Sequence, residues 1–322
     1  MRILLTGSAG FIGSHISMRL LAEGHELCGI DDLNDYYDVR LKKYRLEQFS
    51  DHPLFQQHVF DLSKKEETEQ IFSSFRPQRV LHLAAQAGVR YGSENPHSYT
   101  RRNVEAFLNV LEGCRHNGVE RLVFASSSSV YGGVKEQPFH EEMRVDSPIS
   151  LYAATKKADE LMAHAYSSLY DLPVVGLRFF TVYGPMGRPD MALWLFTESI
   201  LAGRPIKVFN HGDMRRDFSY VDDIVDGTCR ALFFDIPEKY RIYNLGNHRP
   251  ESLMTLIQLL EDSLGKEAKK EFLPMQAGDV KETWADIGRA EKELLFHPET
   301  PLQKGISSFS RWYLDEWLSR VK

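Results

Sequence analysis

Residues 4–15 read LLTGSAGFIGSH, and this stretch decides the fold that the rest of the chain is expected to adopt. An apolar run of strand length leads into it, and apolar residues at helical spacing follow it. Between them, Gly7, Gly10 and Gly13 permit a tight turn and let a phosphate group approach the backbone N–H groups where the helix begins. The stretch therefore predicts a strand–turn–helix unit that binds the pyrophosphate of a dinucleotide.

Six short apolar runs alternate with longer stretches of helical spacing over the first 180 residues. The runs are residues 2–6, 26–31, 57–61, 80–84, 121–125 and 173–178. They are aliphatic or β-branched and mostly lack alternating polar residues, which is typical of strands buried on both faces. We therefore predict an α/β fold, a doubly wound parallel sheet of the Rossmann type.

The rhythm changes in the second half of the chain. Short loops with Pro and Gly dominate residues 182–218, a late strand is expected near 242–246, and a helix is expected over Leu253–Leu264. We predict a cofactor-binding domain over residues 1–180, which the late strand rejoins, and a smaller, interleaved substrate domain over residues 181–322.

Composition excludes several classes of protein. The net charge of −6, without a visible basic patch, gives no reason to expect a nucleic-acid partner. No apolar run approaches the roughly 20 residues that cross a membrane, and the strand-like opening argues against a signal peptide. The three cysteines are widely spaced, and neither they nor the histidines form a pattern of metal ligands. We expect a cytoplasmic protein without a metal site.

An acidic residue, Asp31, ends the second predicted strand, 18 positions after Gly13. A carboxylate at this place binds the hydroxyls of the adenosine ribose and repels a 2′-phosphate, so we expect NAD rather than NADP. Asp61 ends the third predicted strand, where it could contact the adenine or simply cap the strand end.

Residues 126–129 are four consecutive serines directly after the fifth predicted strand. Ligands of open α/β sheets bind beyond the carboxyl ends of the strands, so these hydroxyls are expected beside the cofactor. Tyr152 and Lys156 lie four residues apart in a long, Ala-rich helix predicted over Leu151–Tyr170, and they share one face of it. An ammonium group beside a phenol stabilises the phenolate, which can then act as a general base. Tyr131 and Lys135 have the same spacing, but the two glycines between them disfavour a helix.

Together, the glycine loop, the acidic residue, the serine and the Tyr-x-x-x-Lys motif resemble the extended short-chain dehydrogenase/reductase family. LRFFTVYGPMGRPDMA at 177–192 and DMRRDFSYVDDIVDG at 213–227 resemble its nucleotide-sugar epimerase branch. FFTVYGPMGRPDMA combined with QAGDV at 276–280 is most similar to the UDP-glucuronate 4-epimerases. The resemblance implies tightly bound NAD, a UDP-sugar substrate, a 4-keto intermediate and a homodimer.

The motifs and the resemblance imply a set of site residues. The expected catalytic residues are Ser127, Tyr152 and Lys156. The expected cofactor-binding residues are Gly7, Gly10, Phe11, Ile12, Gly13, Asp31, Asn34, Asp61, Leu62, Leu83, Ala84, Ala85, Ser126, Tyr152, Lys156 and Phe179. The expected substrate-binding residues are Arg90, Ser127, Ser128, Thr181, Arg188, Arg216 and Asp279.

Individual positions separate the reactions of this branch. By resemblance, UDP-glucuronate decarboxylases carry a Glu where this chain has Ser129, and hexose epimerases often carry an Arg where it has Gln276. Ser128 and Thr181 could hold the carboxylate of a uronic acid, or Thr181 could pack behind the nicotinamide. Arg188 could bind either the diphosphate or that carboxylate.

The alternatives are a 4-epimerase for UDP-glucose or UDP-N-acetylglucosamine, a UDP-glucuronate decarboxylase, and a non-catalytic NAD-binding regulator. Such regulators typically lose the Tyr or the Lys of the motif, whereas this chain has both residues.

Overall fold

The computed structural model of the chain describes residues 1–88, 91–275 and 280–321. The strands are β1 (Arg2–Thr6), β2 (Glu26–Asp31), β3 (Phe55–Val59), β4 (Arg79–His82), β5 (Arg121–Ser127), β6 (Val174–Phe179), β7 (Thr181–Tyr183), β8 (Ile206–Val208), β9 (Arg215–Tyr220), β10 (Tyr240–Leu245), β11 (Pro250–Ser252), β12 (Lys270–Phe272) and β13 (Glu282–Thr283). The helices are α1 (Phe11–Ala22), α2 (Val39–Glu47), α3 (Lys65–Phe75), α4 (Pro96–Tyr99), α5 (Ala106–His116), α6 (Leu151–Tyr170), α7 (Ala192–Leu201), α8 (Val221–Phe233), α9 (Leu253–Leu264), α10 (Gly288–Leu294), α11 (Leu302–Trp312) and α12 (Leu318–Val321).

Seven strands form the main sheet in the order β10-β6-β5-β4-β1-β2-β3. Every neighbouring pair in this sheet is parallel. The predicted α/β fold with a doubly wound parallel sheet is therefore confirmed. The strand order reverses between β1 and β4, and in such sheets ligands bind in the crevice that opens at this point.

Both faces of the sheet are covered, which explains why its strands read as continuous apolar runs. In β1, Ile3 and Leu5 belong to one hydrophobic core, whereas Leu4 between them belongs to the other. Helices α1 and α8 contribute to the first core, and α3 and α5 contribute to the second. Because successive side chains of a strand point to opposite faces, both sets of side chains are buried and most residues of such a strand are apolar.

Helix α6 has the bounds that its sequence pattern predicts. Its N-cap is Ser150, whose side chain accepts a hydrogen bond from the backbone N–H of Ala153 at 3.1 Å. After Tyr170, Asp171 adopts a left-handed conformation, with φ of 62°, and ends the helix. A serine cap followed by an Ala-rich run is a strong local signal, which is why both ends could be predicted.

Two other predictions need correction. Residues 182–218 were expected to form short loops, but they contain the ten-residue helix α7. It was missed because its apolar run is flanked by Pro and Gly. Strand β3 covers Phe55–Val59 rather than residues 57–61. Asp61 lies in a turn in which its carboxylate accepts from the backbone N–H of Ser63 at 3.0 Å, so the chain has already left the sheet.

Smaller sheets lie outside the main one. Strand β9 pairs with β7, β11 and β13, and β12 pairs with β8. Strand β7 begins only two residues after β6 ends, so this sheet continues from the carboxyl end of the main sheet. No helix in the described part of the chain is both long and apolar enough to cross a lipid bilayer.

Candidate active site

The glycine loop joins β1 to α1 and is packed too closely for side chains. Gly7 has a φ of +76°, and a Cβ on it would lie 2.8 Å from the backbone nitrogen of Ala84. A Cβ on Gly13 would overlap the carbonyl oxygen of Gly7. Gly10 precedes the helix and provides no side-chain cap, so the first N–H groups of α1 can bind an anion. The loop therefore fits a pyrophosphate.

The strand register brings the predicted site residues to one edge of the sheet. Thr6 of β1 is paired with Ile30 of β2 on one side and with His82 of β4 on the other. Ser127 of β5 is paired in the same way with Phe179 of β6. The loops that follow these strands, and with them the predicted cofactor residues, start at the same edge. Ligands of such sheets bind there.

Asp31 ends β2 and is buried. Its carboxylate accepts a hydrogen bond from the backbone N–H of Leu33 at 2.9 Å, and Oδ1 lies 3.8 Å from Nζ of Lys42 on α2. Burial raises the pKa of Asp31, and the positive charge of Lys42 opposes that rise. Sequence reasoning did not find Lys42, because a lysine in a helix as polar as α2 resembles a solvated one.

Asp61 lies beside two arginines that sequence reasoning also missed. They belong to a π-helical turn over Thr100–Glu105, between α4 and α5. Nη2 of Arg101 lies 3.3 Å from Oδ2 of Asp61, and Nε of Arg102 lies 3.9 Å from the same oxygen. Nη2 of Arg102 lies closer to Asp32, 3.0 Å from its Oδ2. The predicted contact of Asp61 with the adenine stays a prediction.

The remaining predicted cofactor residues lie in the same loops or at the ends of the same elements. Leu83, Ala84 and Ala85 follow β4, where the N–H of Ala84 donates to Oγ1 of Thr6 at 3.2 Å. Asn34 lies in the turn after β2, and its backbone N–H donates to Oδ1 of Asp32 at 3.1 Å. Phe11 and Ile12 open α1, Leu62 follows β3 and Phe179 ends β6.

The four serines were expected after the fifth strand, but the first two are its last residues and the other two begin the 3₁₀ turn that follows it. Ser126 is 2% exposed, and its hydroxyl donates to Oε1 of Glu160 at 2.7 Å. Ser127 caps a 3₁₀ turn, because its Oγ accepts from the backbone N–H of Ser129 at 3.2 Å while it donates to Oγ of Ser129 at 3.1 Å. Ser128 is partly exposed. The predicted contacts of Ser126 with a cofactor and of Ser127 and Ser128 with a substrate stay predictions.

Tyr152 and Lys156 lie one turn apart near the start of α6. The Tyr152 ring packs edge-on against Tyr99, with 6.3 Å between the ring centroids. Nζ of Lys156 lies 3.2 Å from Oδ2 of Asp159, in the next turn of the helix. Tyr131, by contrast, is buried and donates to Oδ1 of Asn244 at 2.7 Å, so its side chain belongs to the core.

Asn103 links the loop after β4 to helix α6. Its Oδ1 accepts from the backbone N–H of Gln86 at 2.7 Å, and its Nδ2 donates to Oγ1 of Thr155 at 2.9 Å. Asn103 is fully buried. Because both bonds are made by one amide, the position of that loop is tied to the helix that carries Tyr152 and Lys156. No motif in the sequence indicates this role.

On the substrate side, Thr181 begins β7, and Arg188 lies in the loop after that strand. Nε of Arg188 donates to Oδ1 of Asp190 at 3.0 Å, and the hydroxyl of Tyr36 donates to Oδ2 of the same carboxylate at 3.1 Å. Burial would raise the pKa of Asp190, but the charge of Arg188 brings it below its ordinary value. Nη1 of Arg216 donates to the carbonyl oxygen of Lys281 at 3.0 Å.

Arg90, Gln276 and Asp279, which the sequence singled out, lie outside the described residues. The roles expected of Arg90 and Asp279 therefore stay predictions, as does the argument from Gln276.

A buried arginine of α2 joins the glycine loop to the loop that carries Arg188. Arg45 is 0% exposed and donates to the carbonyl oxygen of Ala9 at 3.2 Å and to that of Met186 at 2.7 Å. It also donates to the carbonyl oxygen of Gly187 at 3.0 Å, next to Arg188. Nothing in the sequence of α2 separates this arginine from solvated ones. Among the described residues, no three His, Cys, Asp or Glu side chains are grouped to hold a metal ion.

Residues 3–246 match the NAD dependent epimerase/dehydratase family. UDP-glucuronate 4-epimerase from Thermodesulfobacterium geofontis is 44% identical, over 96% of this chain and 95% of its own. UDP-glucuronate 4-epimerase 4 from Arabidopsis thaliana is 46% identical, over 97% of this chain and 75% of its own. The crystal structure of UDP-glucuronic acid 4-epimerase from Bacillus cereus, in complex with UDP-glucuronic acid and NAD, matches with a TM-score of 0.91 and 32% identity, over 100% of both chains.

Proposed function

The chain belongs to the NAD dependent epimerase/dehydratase family, and we propose that it interconverts UDP-glucuronate and UDP-galacturonate by inverting carbon 4 of the sugar. Relatives that are 44% and 46% identical over nearly the whole chain are UDP-glucuronate 4-epimerases. The observation that carries the proposal is that the glycine loop and the serine turn start at the same edge of the parallel sheet, and that α6, which carries Tyr152 and Lys156, packs against the serine turn. NAD is the cofactor.

The residues present fit this cofactor. The glycine loop and the first N–H groups of α1 would bind the pyrophosphate, and the Asp31 carboxylate would accept hydrogen bonds from the adenosine ribose. When bound, NAD would supply a reversible acceptor for the hydride of carbon 4, and the protein supplies binding, orientation and electrostatics.

Tyr152 is the general base of the proposed mechanism. Its phenolate removes the proton from the 4-hydroxyl group of the sugar. The phenol returns this proton after the 4-keto sugar has rotated to present its opposite face. Lys156, one turn later on α6, stabilises that phenolate with its positive charge. Ser127, at the end of β5, donates a hydrogen bond to the 4-oxygen.

The hydroxyls of the serine turn suit a uronic acid. A 4-keto uronic acid loses CO₂ readily, because the ketone stabilises the resulting carbanion. An epimerase must therefore bind the carboxylate without a neighbouring acid. Ser129 bonds to Ser127 through its hydroxyl, where a carboxyl group would favour decarboxylation. Ser128 and Thr181 hold the substrate carboxylate in this proposal, and Arg188 and Arg216 bind the anionic groups of the nucleotide sugar.

We also propose that the enzyme is a homodimer. Leu108 on α5 and Leu161 and Leu169 on α6 are exposed, and these two helices lie against each other. Apolar side chains grouped on two adjacent helices favour burial against a second copy. Light scattering coupled to size-exclusion chromatography should give the mass of a dimer for the wild type and of a monomer for Leu161→Glu. A monomeric wild type would contradict the proposal.

A cytoplasmic location is proposed from the cysteines. Cys28, Cys114 and Cys229 are buried free thiols, which are typical of proteins from reducing compartments. Fractionation of cells that make the protein at its natural level should place it with cytoplasmic enzymes, and recovery from an oxidising compartment would refute the assignment.

The reaction itself is tested by incubating the protein with NAD and UDP-glucuronate and resolving the products by NMR. We expect UDP-galacturonate to accumulate to a fixed ratio from either direction. A UDP-pentose product would indicate a decarboxylase, and UDP-glucose turned over in preference to UDP-glucuronate would indicate a hexose epimerase.

Tyr152→Phe tests the assignment of the base. Turnover should fall about 10²- to 10⁴-fold because the general base is lost, while NAD stays bound. Tyr170→Phe, on the exposed end of the same helix, is the matched control and should keep wild-type turnover. Comparable rates for the two variants would rule out Tyr152 as the base.

A further inference from the structure

Helix α6 carries a buried ion pair at its face towards the sheet. Nζ of Lys156 lies 3.2 Å from Oδ2 of Asp159, and the two side chains are 1% and 0% exposed. The other oxygen, Oδ1 of Asp159, is buried and has no hydrogen-bond partner in the described part of the protein. A carboxylate sealed from water is normally held by several donors. Asp159 therefore depends on Lys156 to an unusual degree.

The neighbouring charged groups do not compensate Asp159. On α6, Glu160 adds a second negative charge, and Lys157 is turned to Glu160, with 3.4 Å between Nζ and Oε2. On the adjacent strand β6, Arg178 makes two hydrogen bonds to Glu160. On β4, burial and the repulsion of Lys156 lower the pKa of His82 to about 3, so its ring is neutral. Among the residues that the structure describes, Lys156 is thus the cation that faces Asp159.

The Asp159 carboxyl group changes its charge near neutral pH. Burial raises its pKa to about 7, although the positive charge of Lys156 opposes that rise. When the carboxyl group is ionised, it cancels part of the field of Lys156. When it is neutral, the ammonium charge acts undiminished on its surroundings, which include the residue one turn earlier on the same helix face, Tyr152.

We propose that Asp159 is a positioning residue of the active site, which holds the ammonium group of Lys156 against α6 and sets how much of its charge reaches Tyr152. The inference rests on the proposed function only in taking Tyr152 as the general base. It requires no contact between Asp159 and a substrate or cofactor.

Asp159→Asn tests the proposal, because the amide keeps the shape of the side chain and removes its charge. The ionisation of Tyr152 is followed as the tyrosinate absorbance of each protein minus that of its Tyr152→Phe counterpart. This titration should occur at lower pH in Asp159→Asn than in the wild type, since a negative charge that opposes the phenolate is gone. The acid limb of the pH–rate profile with UDP-glucuronate should move in the same direction.

Asp171→Asn is the matched control, since it makes the same substitution just beyond the end of α6, at an exposed carboxylate. It should leave both profiles unchanged. Coincident Tyr152 titrations for the wild type and Asp159→Asn would overturn the proposal. Because the titration needs no substrate, it decides the role of Asp159 even if UDP-glucuronate is not turned over, a result that would instead refute the proposed function.

Discussion

Two consecutive carboxylates of α6, Asp159 and Glu160, are almost equally buried and yet differ in electrostatic state. Glu160 accepts from Nε and Nη2 of Arg178 at 2.8 and 2.9 Å, from Oγ of Ser126 at 2.7 Å and from Nζ of Lys157 at 3.4 Å. Asp159 accepts from Lys156 through one oxygen. The two residues thus share a helix and a depth but not a set of donors.

The difference shows that partners rather than depth decide the charge of a buried acid. Burial on its own would raise the pKa of both groups. The bidentate bond from Arg178 and the bond from Ser126 reverse this for Glu160, whose pKa lies below its ordinary value. One cation does not reverse it for Asp159. We interpret the Glu160–Arg178 pair as a permanent ion pair that holds α6 to β6. The Asp159–Lys156 pair is one in which the charge of the carboxyl group changes with pH.

The largest expected effect on stability comes from breaking the Glu160–Arg178 ion pair. Arg178→Met leaves Glu160 buried without its bidentate partner, which should lower the free energy of unfolding by about 3–5 kcal/mol. Urea denaturation at neutral pH measures this loss. The double variant Arg178→Met with Glu160→Leu should recover much of the loss, because no buried charge then remains unpaired. A single variant as stable as the wild type would remove the distinction between the two carboxylates.

The second effect depends on pH. The pKa of Asp159 is raised from its ordinary value near 4 to about 7 in the folded protein. The folded state therefore loses stability as the pH rises between these two values. The free energy of unfolding of Asp159→Asn, relative to the wild type, should therefore increase by about 2–4 kcal/mol between pH 4 and pH 8. Urea denaturation at several pH values measures it. A difference that stays constant over this range would show that Asp159 is as well compensated as Glu160.

The smallest effect concerns the serine hydroxyl that donates to Glu160. Ser126→Ala removes the donor to Oε1 of Glu160 and should cost about 1–2 kcal/mol of stability, since the bond is buried and its acceptor is charged. Ser74→Ala, at an exposed serine on α3, is a control that should cost far less. An unchanged stability for Ser126→Ala would mean that Arg178 and Lys157 keep Glu160 ionised without this hydroxyl.

Much of the fold could be predicted because its signals are local. The bounds of α6 follow from the serine cap and the Ala-rich run, and the turn after β1 follows from the spacing of three glycines. Helix α7 was missed because an apolar run between Pro and Gly gives no clear period. Local patterns thus identified α6 and the glycine turn, although α8 and α11 were not predicted.

Much less of the site's support could be predicted. Arg45, Asn103 and Asp159 lie in helical segments and belong to no motif. The partners of Arg45 and Asn103 come from distant parts of the chain. The partner of Asp159 is three residues away, and what could not be predicted is its burial without further donors. Arg45 reaches a loop 141 residues away, to the carbonyl oxygen of Met186. Such contacts depend on how elements pack, which one-dimensional spacing does not encode.

The sequence by itself determined the alternation of strands and helices, the glycine turn for a pyrophosphate, and the placing of Tyr152 and Lys156 on one helix face. These features depend on neighbours within a turn or two of the chain. Only the tertiary structure decided that Glu160 meets Arg178 and Ser126, 18 and 34 residues away, while Asp159 beside it meets neither. The physical reason is that desolvation and the number of donors around a charge are set by packing between distant segments.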